Sequence, residues 1–191
     1  MSATDRRRWD EKYRAGDSPE CVQPDDWLVH NASQQPPGRA LELACGLGHN
    51  AIWLAQRGWT VEALDVSPAG LRLASALARR VDAPPVNWVA ADLDDFSPAE
   101  NRYDLAVVFR FLDRDRVPGL IENALRPGGR LIYETFLRAH CDRADNHLRT
   151  AAFTLQPGEL PELFPDMIVD EYRETTLPER TVAQLVARKA D

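Results

Sequence analysis

Cysteine is scarce in this chain of 191 residues, with three thiols, at Cys21, Cys45 and Cys141. An odd number without framework spacing excludes a disulfide-stapled scaffold and predicts free thiols in a reducing compartment. Long hydrophobic runs are missing too, since no stretch approaches the ~20 apolar residues that a membrane helix needs. The polar start, 1–8, also lacks the apolar core of a signal peptide. We therefore expect a cytoplasmic protein.

The chain also lacks an excess of basic residues. It has 23 Lys and Arg against 30 Asp and Glu, a net charge of −7, and its lysines are confined to Lys12 and Lys189. Broad binding to a phosphate backbone requires a basic footprint. We therefore expect a small-molecule substrate, with no nucleic-acid partner and no membrane partner, while composition indicates nothing about oligomeric state.

Hydrophobic residues make up 44% of the chain and charged residues 28%, which is typical of a globular protein. Apolar strand patterns alternate with helical ones, which predicts a doubly wound, Rossmann-like α/β sheet of about seven strands with helices on both faces. The last two strands are joined by a short polar connection, so they are predicted to form an antiparallel hairpin. The predicted strands are Ala40–Cys45, Thr60–Asp65, Asn87–Asp92, Tyr103–Phe109, Arg130–Phe136, Met167–Glu174 and Thr181–Lys189. The predicted helices are Thr4–Arg14, a short one through Trp27 and Val29, Asn50–Arg57, Pro68–Arg80 and Val117–Leu125.

We expect residues 1–191 to form a single domain with three regions. Residues 1–38 form an N-terminal helical cap and a Pro-rich linker, and residues 39–136 form a ligand-binding core. Residues 137–191 form a lid segment followed by the C-terminal hairpin. In a doubly wound sheet the ligand lies beyond the carboxyl ends of the strands, near the point where strand order reverses.

A glycine-containing turn connects the first core strand to the following helix. Gly46 and Gly48 allow the backbone to approach a ligand closely, although a tight turn without ligand and a dinucleotide fingerprint are alternative interpretations. Glu42 lies within the strand just before this turn, where it would repel a pyrophosphate and attract a cationic ligand. Asp65 ends the second strand, where its carboxylate can accept both hydroxyls of a ribose.

A third acid, Asp92, ends the third predicted strand and is placed to accept a hydrogen bond from the amine of an adenine ring. Its alternative role, like that of Glu42, is a helix cap or an ion-pair partner. Three acids at the ends of three successive strands, beside a Gly-x-Gly loop, form a more specific pattern than any one of them.

These motifs resemble those of the class I S-adenosylmethionine-dependent methyltransferases, over nearly the whole chain. The stretch 42–48 is similar to the family's first motif, 125–131 to the turn before its fifth strand, and 9–14 to an N-terminal segment of small bacterial members that closes over the cofactor. Ala44 departs from the glycine that many members have there. The stretch 45–50 is similar to the branch that contains the tellurite-resistance and thiopurine-type methyltransferases, and the C-terminal stretches 153–160 and 186–189 resemble the end of the tellurite-resistance family.

The resemblance implies an enzyme that uses S-adenosyl-L-methionine as its cofactor. It further implies the residues that bind this cofactor, which are Trp9, Tyr13, Arg14, Glu42, Ala44, Gly46, Gly48, Asn50, Asp65, Val66, Asp92, Leu93 and Phe109. No metal site is expected.

Methyl transfer from a sulfonium is an in-line displacement, which an enzyme accelerates largely by aligning its reactants. No pattern typical of a general base is recognisable, which favours a soft or anionic acceptor such as a thiol or a chalcogen oxyanion. Arg110, beyond the fourth strand, is the candidate catalytic residue, because it could hold an anionic acceptor. A surface ion pair is its alternative role. Phe111, Tyr133, Phe136 and Arg138 are further pocket candidates.

The stretch His140–His147 holds two His, one Cys and two Asp residues. Its spacing matches no zinc pattern, which leaves a polar lid over the acceptor and a plain crossover as interpretations. For the whole chain, an O- or N-methyltransferase, a nicotinamide-dependent oxidoreductase and a non-enzymatic adenosylmethionine-binding protein remain alternative functions.

Overall fold

The computed structural model describes residues 3–16, 20–143 and 151–191. These residues form seven strands in the order β3-β2-β1-β4-β5-β7-β6. The predicted doubly wound, mostly parallel sheet with an antiparallel C-terminal pair is confirmed. The chain divides into two compact units, residues 1–98 and 99–191.

The first unit is a parallel α/β arrangement in which β2 pairs with β1 on one side and with β3 on the other. Its strands are short, and the residues of β1 after Arg39 are all buried. Its elements are α1 (Ala3–Ala15), α2 (Asp26–Ala32), β1 (Arg39–Leu43), α3 (His49–Ala55), β2 (Thr60–Asp65), α4 (Pro68–Arg80) and β3 (Asn87–Ala90).

Helix α4 begins as its sequence predicts. Ser67 has extended backbone angles, and its hydroxyl accepts a hydrogen bond from the Gly70 N–H, while Pro68 occupies the first helical position. Arg79 and Arg80 lie in the last turn, where positive charge complements the helix dipole. The boundaries Thr60–Asp65 and Pro68–Arg80 agree with the prediction from sequence.

The second unit combines the parallel pair β4 and β5 with the antiparallel strands β7 and β6. Strand β4 is buried except for a half-buried Asp104, as expected for a strand covered on both faces. Its elements are β4 (Tyr103–Phe109), α5 (Val117–Ala124), β5 (Leu125–Phe136), α6 (Glu159–Glu162), β6 (Met167–Thr176) and β7 (Thr181–Lys189), with 3₁₀ turns at Arg138–Asp142 and Ala151–Phe153.

The start of β5 differs from the prediction. We expected helix α5 to include Leu125 and the strand to begin at Arg130, but Leu125 already pairs with Tyr103 in the ladder. The intervening Pro-Gly-Gly turn forms a bulge, since the register shifts between Tyr103 and Leu105. A Cβ on Gly129 would lie 2.9 Å from the Tyr103 carbonyl oxygen, so only glycine allows this close approach.

A buried ionic cluster connects β5 to the hairpin. The carboxylate of Glu134 is completely buried, and it accepts hydrogen bonds from Arg180 Nε at 2.9 Å and from Gln184 Nε2 at 2.5 Å. Gln184 in turn accepts from Arg173 Nε at 2.6 Å. A buried charge with its partners satisfied is tolerated, but removal of one partner leaves an uncompensated charge or donor.

We predict that Glu134→Ala lowers the free energy of unfolding by about 3 kcal/mol or more, because it removes the buried carboxylate to which both Arg180 and Gln184 donate. The matched control is Asp104→Ala, which removes the 2.5 Å ion pair with the exposed Arg126 and should cost at most about 1 kcal/mol. Urea unfolding measures both variants. Equal losses would contradict a special role for the buried cluster.

Candidate functional site

The loop that follows β1 has an unusual backbone. Ala44, Gly46 and Gly48 all have left-handed φ angles, of 53°, 55° and 73°. The Gly48 N–H donates to the Cys45 carbonyl, and α3 begins at the next residue. Left-handed angles are accessible to glycine without steric cost but strain a residue with a Cβ. The structure therefore explains why glycine is common at the position of Ala44 in the family that the sequence resembles.

Gly48 is also required for packing. A Cβ at this position would lie 2.5 Å from Cη2 of Trp88 and 2.9 Å from the Cβ of Ala74. The loop therefore lies directly against a ring from β3 and a small residue of α4. The sequence indicated a role for Gly48 in the loop backbone but not its contact with Trp88.

Asp65, at the carboxyl end of β2, holds the loop in place. One carboxylate oxygen accepts the Gly46 N–H at 2.8 Å, and the other accepts the Ser67 N–H at 2.8 Å. The residue is 7% exposed. Burial raises the pKa of its carboxyl, and the two backbone hydrogen bonds counteract this shift. Each carboxylate oxygen keeps further acceptor capacity for a ligand.

A second acid, Glu42, lies in β1 and is 3% exposed. Desolvation is the main cause that raises the pKa of the buried Cys45 thiol, and the carboxylates of Glu42 and Asp65 raise it further. Desolvation and the two carboxylates therefore both disfavour added negative charge at the loop. Burial and the raised pKa make Cys45 an unreactive thiol.

Helix α1 lies on this loop. The rings of Trp9 and Tyr13 stack with centroids 5.8 Å apart, and Lys12 Nζ lies 4.4 Å from the Trp9 ring centroid. Tyr13 covers two glycines: a Cβ on Gly46 would meet its Oη at 2.8 Å, and a Cβ on Gly70 would meet its Cδ2 at 2.9 Å. The structure thus brings Tyr13 together with the glycine loop and with α4.

Asp10 is a site residue that sequence reasoning missed. Its Oδ1 accepts hydrogen bonds from the Ser67 hydroxyl at 2.5 Å and from the Ala69 N–H at 3.0 Å, at the first turn of α4. Asp10 also pairs with Arg14, four residues later on the same helix, at 3.4 Å. The sequence offers one indication, a short acidic side chain between Trp9 and Tyr13. The partner that it binds, Ser67, lies 57 residues away.

Other predicted cofactor residues have different surroundings. Asn50 is buried and pairs with Asp25, accepting its N–H at 2.8 Å and donating to its carboxylate at 3.1 Å. Arg14 is exposed, with 61% of its side chain accessible. The hydrogen bonds between Asn50 and Asp25 hold the start of α2 against α3. The cofactor roles of Asn50 and Arg14 stay predictions.

The remaining predicted residues of the first unit lie where β2 and β3 end. Val66 and Leu93 are buried, and Asp92 is half-buried with its Oδ1 accepting the Asp94 N–H at 3.1 Å. The Ala91 N–H donates to the Asp65 carbonyl, which keeps the chain before Asp92 beside the end of β2.

In the second unit, the end of β4 carries the candidate acceptor residues. Phe109 is buried, whereas Arg110 is exposed and has a left-handed φ of 54°. Its N–H donates to the Glu134 carbonyl at 2.8 Å, which fixes this strained conformation. Strained backbone at a strand end is frequent at functional sites.

Tyr133 and Phe136 have structural partners. The Tyr133 hydroxyl donates to the Phe111 carbonyl at 2.9 Å, and burial raises the pKa of this phenol above its usual range. Phe136 stacks on His140 with ring centroids 4.6 Å apart. Tyr133 is therefore protonated and engaged at neutral pH rather than available as a base.

The predicted polar stretch His140–His147 is described in its first part. His140 is buried and its Nδ1 accepts the Thr181 N–H at 3.2 Å, while Cys141 is half-buried. Residues 144–150, which include His147, lie outside the described residues. Among the residues that the structure describes, no three His, Cys, Asp or Glu side chains gather as metal ligands would, and no helix is long and apolar enough to span a membrane.

Comparison with known proteins identifies the domain. Residues 40–129 match the family described as "Methyltransferase domain". The chain is 35% identical over 147 residues to Hemagglutinin 1 of Eikenella corrodens, a match that covers 72% of this chain and 46% of that protein. It is 27% identical over 150 residues to the probable S-adenosyl-L-methionine-dependent methyltransferase TehB of Haemophilus influenzae, covering 77% of this chain and 52% of that one.

A third relative is the ribosomal RNA small subunit methyltransferase C of Alcanivorax borkumensis, which is 34% identical over 112 residues, covering 52% of this chain and 32% of that protein. The chain therefore spans about half or less of the length of these three curated relatives.

Solved structures share the fold. A structure described as "Conversion of a Disulfide Bond into a Thioacetal Group during Echinomycin Biosynthesis" has a TM-score of 0.80 at 18% identity, covering 97% of this chain and 92% of that one. The crystal structure of TehB from Haemophilus influenzae has a TM-score of 0.72 at 23% identity, covering 96% and 66%. These likenesses establish the fold.

We predict that Gly48→Ala lowers the free energy of unfolding by about 2–4 kcal/mol, since it adds backbone strain and a clash with Trp88. Gly58→Ala is the matched control: its φ is 87°, but the nearest atom to a new Cβ is on Pro37 at 3.6 Å. It should cost only the strain, about 1–2 kcal/mol. Urea unfolding of both variants measures the difference, and a smaller loss for Gly48→Ala would refute the packing role of this glycine.

Proposed function

Because this chain belongs to the class I S-adenosylmethionine-dependent methyltransferases, we propose that it transfers the methyl group of S-adenosylmethionine to a small, soft or anionic acceptor. S-adenosylmethionine is the cofactor of the family, and it supplies an electrophilic methyl group on a positively charged sulfur. The residues of this chain have to bind it, exclude water and align the acceptor.

The observation that carries the proposal is the negative environment of the loop between β1 and α3. Glu42 and Asp65 are both buried and both raise the pKa of Cys45, which lies between them in the chain. A pyrophosphate at this loop would face two carboxylates, whereas the ammonium and sulfonium of S-adenosylmethionine would be attracted. This charge arrangement favours S-adenosylmethionine over a nicotinamide dinucleotide.

In the proposed site, Asp65 accepts the ribose hydroxyls with the acceptor capacity that Gly46 and Ser67 leave. Asp92 accepts the adenine amine, with Val66 and Leu93 as apolar neighbours of the ring. Glu42 and the loop at Ala44, Gly46 and Gly48 surround the amino acid part of the cofactor. Tyr13 and Trp9 cover it from α1. The other proposed cofactor contacts are Arg14, Asn50 and Phe109.

We propose Arg110 as the catalytic residue that holds an anionic acceptor. It is exposed, it carries a fixed positive charge, and its left-handed backbone is held by a hydrogen bond to β5. A thiolate or chalcogen oxyanion is already nucleophilic, so its methylation requires alignment rather than a base. The net charge of −7 supports a small acceptor over a nucleic acid.

We predict that S-adenosylmethionine and S-adenosylhomocysteine bind the wild-type protein, and that Asp65→Asn weakens binding at least tenfold. An amide has one acceptor oxygen and no charge, so it cannot serve Gly46, Ser67 and a ribose together, and each lost charge-assisted bond is worth about 1.5–3 kcal/mol. Calorimetry measures the dissociation constants, and Asp82→Asn, an exposed acid of the same unit, is the control.

The pH dependence of this binding has a defined sign. Asp65 has a raised pKa in the folded protein, so its ionised form is lost on acidification earlier than for an ordinary aspartate. Cofactor affinity should fall as the pH drops through that raised pKa, and Asp65→Asn should flatten this part of the profile.

A melting shift with NADH, and none with the two adenosyl compounds, would overturn the proposed cofactor.

We predict that Arg110→Ala raises the acceptor KM about tenfold or more, with cofactor affinity unchanged, because it removes the charge that holds the anion. Arg110→Lys should retain part of the effect, and Arg126→Ala is the control for loss of an exposed arginine. The measurement is transfer of radiolabelled methyl to thiols, selenite, tellurite and thiopurines, with ribosomal RNA as a further substrate. An unchanged KM refutes the role of Arg110, and methylation of RNA alone refutes the small acceptor.

A further inference from the structure

We infer that Asp10 is a positioning residue for the cofactor: it fastens helix α1 to the first turn of α4, and through Ser67 and Asp65 to the glycine loop. This inference rests on the proposed function and adds to it a residue that need not contact the cofactor. We call the contacts of Asp10 with Ser67 and Ala69 the α1 latch.

The latch has the geometry of a helix cap supplied from outside the helix. Asp10 Oδ1 accepts the Ser67 hydroxyl at 2.5 Å and the Ala69 N–H at 3.0 Å. Ser67 is itself the N-cap of α4, and its hydroxyl also accepts the Gly70 N–H at 3.1 Å. A carboxylate at a helix N-terminus binds unsatisfied N–H groups and the positive end of the helix dipole.

The latch is continuous with the proposed ribose site. The Ser67 side chain bonds to Asp10, and the Ser67 N–H bonds to Asp65 Oδ1 at 2.8 Å. The other oxygen of Asp65 holds the Gly46 N–H at 2.8 Å. Four residues therefore form an unbroken chain of hydrogen bonds from α1 to the glycine loop.

Apolar contact reinforces the same docking. Tyr13, one helical turn after Asp10, lies over two positions that have no side chain. A Cβ on Gly70 would lie 2.9 Å from the Tyr13 ring and 3.3 Å from the Gly46 carbonyl oxygen. Because Tyr13 is a proposed cofactor contact, the orientation of α1 decides whether it can cover the cofactor.

The electrostatics agree with a docked carboxylate. The hydrogen bond from Ser67 is the largest cause that lowers the pKa of Asp10, and the Ala69 N–H and the charges of Arg14 and Arg6 act in the same direction. Asp10 therefore remains ionised over the physiological range, and its charge is present when the cofactor binds.

Loss of the latch reduces the fraction of molecules in which α1 is docked, and the apparent dissociation constant rises in inverse proportion to that fraction. The coupling is reciprocal, so a bound cofactor should in turn hold α1 in place. Helix α1 contains Arg6, Arg7, Arg8, Lys12 and Arg14 as sites for trypsin.

The experiment compares the wild-type protein with three single variants. Asp10→Ala removes the latch. Gly70→Ala leaves Asp10 intact but places a methyl group against Tyr13, in a helical position where alanine is intrinsically favoured over glycine. Glu11→Ala is the matched control, since Glu11 is an exposed acid next to Asp10 on the same helix.

Each protein is tested for S-adenosylmethionine binding by calorimetry, for cleavage of α1 by trypsin with and without S-adenosylhomocysteine, and for its melting temperature. We expect Asp10→Ala and Gly70→Ala to raise the dissociation constant about tenfold, equivalent to about 1.4 kcal/mol, and to accelerate cleavage. Glu11→Ala should match the wild type. The adenosyl compound should slow cleavage of the wild type more than that of Asp10→Ala.

The outcomes separate the two proposals. If the wild type binds no adenosyl compound, the proposed function fails and the inference fails with it. If the wild type binds but Asp10→Ala and Gly70→Ala bind as tightly, the inference alone is overturned. A lower melting temperature with unchanged affinity would likewise reduce Asp10 to a structural role, and equal weakening by Glu11→Ala would overturn the specificity of the latch.

Discussion

The carboxylate of Asp65 organises the first unit, because its two oxygens bond to two different turns. One turn is the glycine loop after β1, held through Gly46, and the other is the start of α4, held through Ser67. Both N–H groups belong to segments that leave regular structure and therefore lack ladder or helix partners. A single buried acid satisfies them, which places the loop, the helix start and the end of β2 in one fixed arrangement. The proposed ribose site and the α1 latch both depend on it.

Negative charge is buried in both units, with different consequences. Glu134 in the second unit forms an ion pair with Arg180 and accepts a hydrogen bond from Gln184, so its charge is balanced within the protein. Asp65 and Glu42 in the first unit leave a negative environment that reaches the Cys45 thiol. A buried carboxylate that is paired with a cation contributes to structure, whereas two buried carboxylates that raise the pKa of a neighbouring thiol also favour a cationic ligand there. This difference connects the acidic composition of the chain to its proposed cofactor.

The comparisons confirm the predicted family, fold and cofactor, and they place similar domains in proteins with different names. Hemagglutinin 1, TehB and a ribosomal RNA methyltransferase each match over only part of their length. The identity of the methyl acceptor therefore has to be inferred from the residues of this chain. We propose that Arg110, with its exposed side chain and strained backbone, selects the acceptor. Asn50, one of the proposed cofactor contacts, also pairs with Asp25, so a position of the family motif can hold α2 against α3 in addition to its proposed role toward the ligand.

The sequence by itself determined the order of the strands and helices, because apolar periodicity and cap residues are local signals. The predicted helix Pro68–Arg80 starts at the predicted residue, and the predicted strand Tyr103–Phe109 is buried. The sequence also indicated that Asp65 ends β2, whereas β3 ends at Ala90, two residues before Asp92. Tertiary structure decided the bulge at the start of β5, the contact of Gly48 with Trp88 and the capping of α4 by Asp10. These features join residues far apart in the chain, and a hydrogen bond across 57 residues leaves no periodic trace in either segment. Local chemistry is written in the sequence, but which distant donor meets which acceptor is decided only when the chain packs.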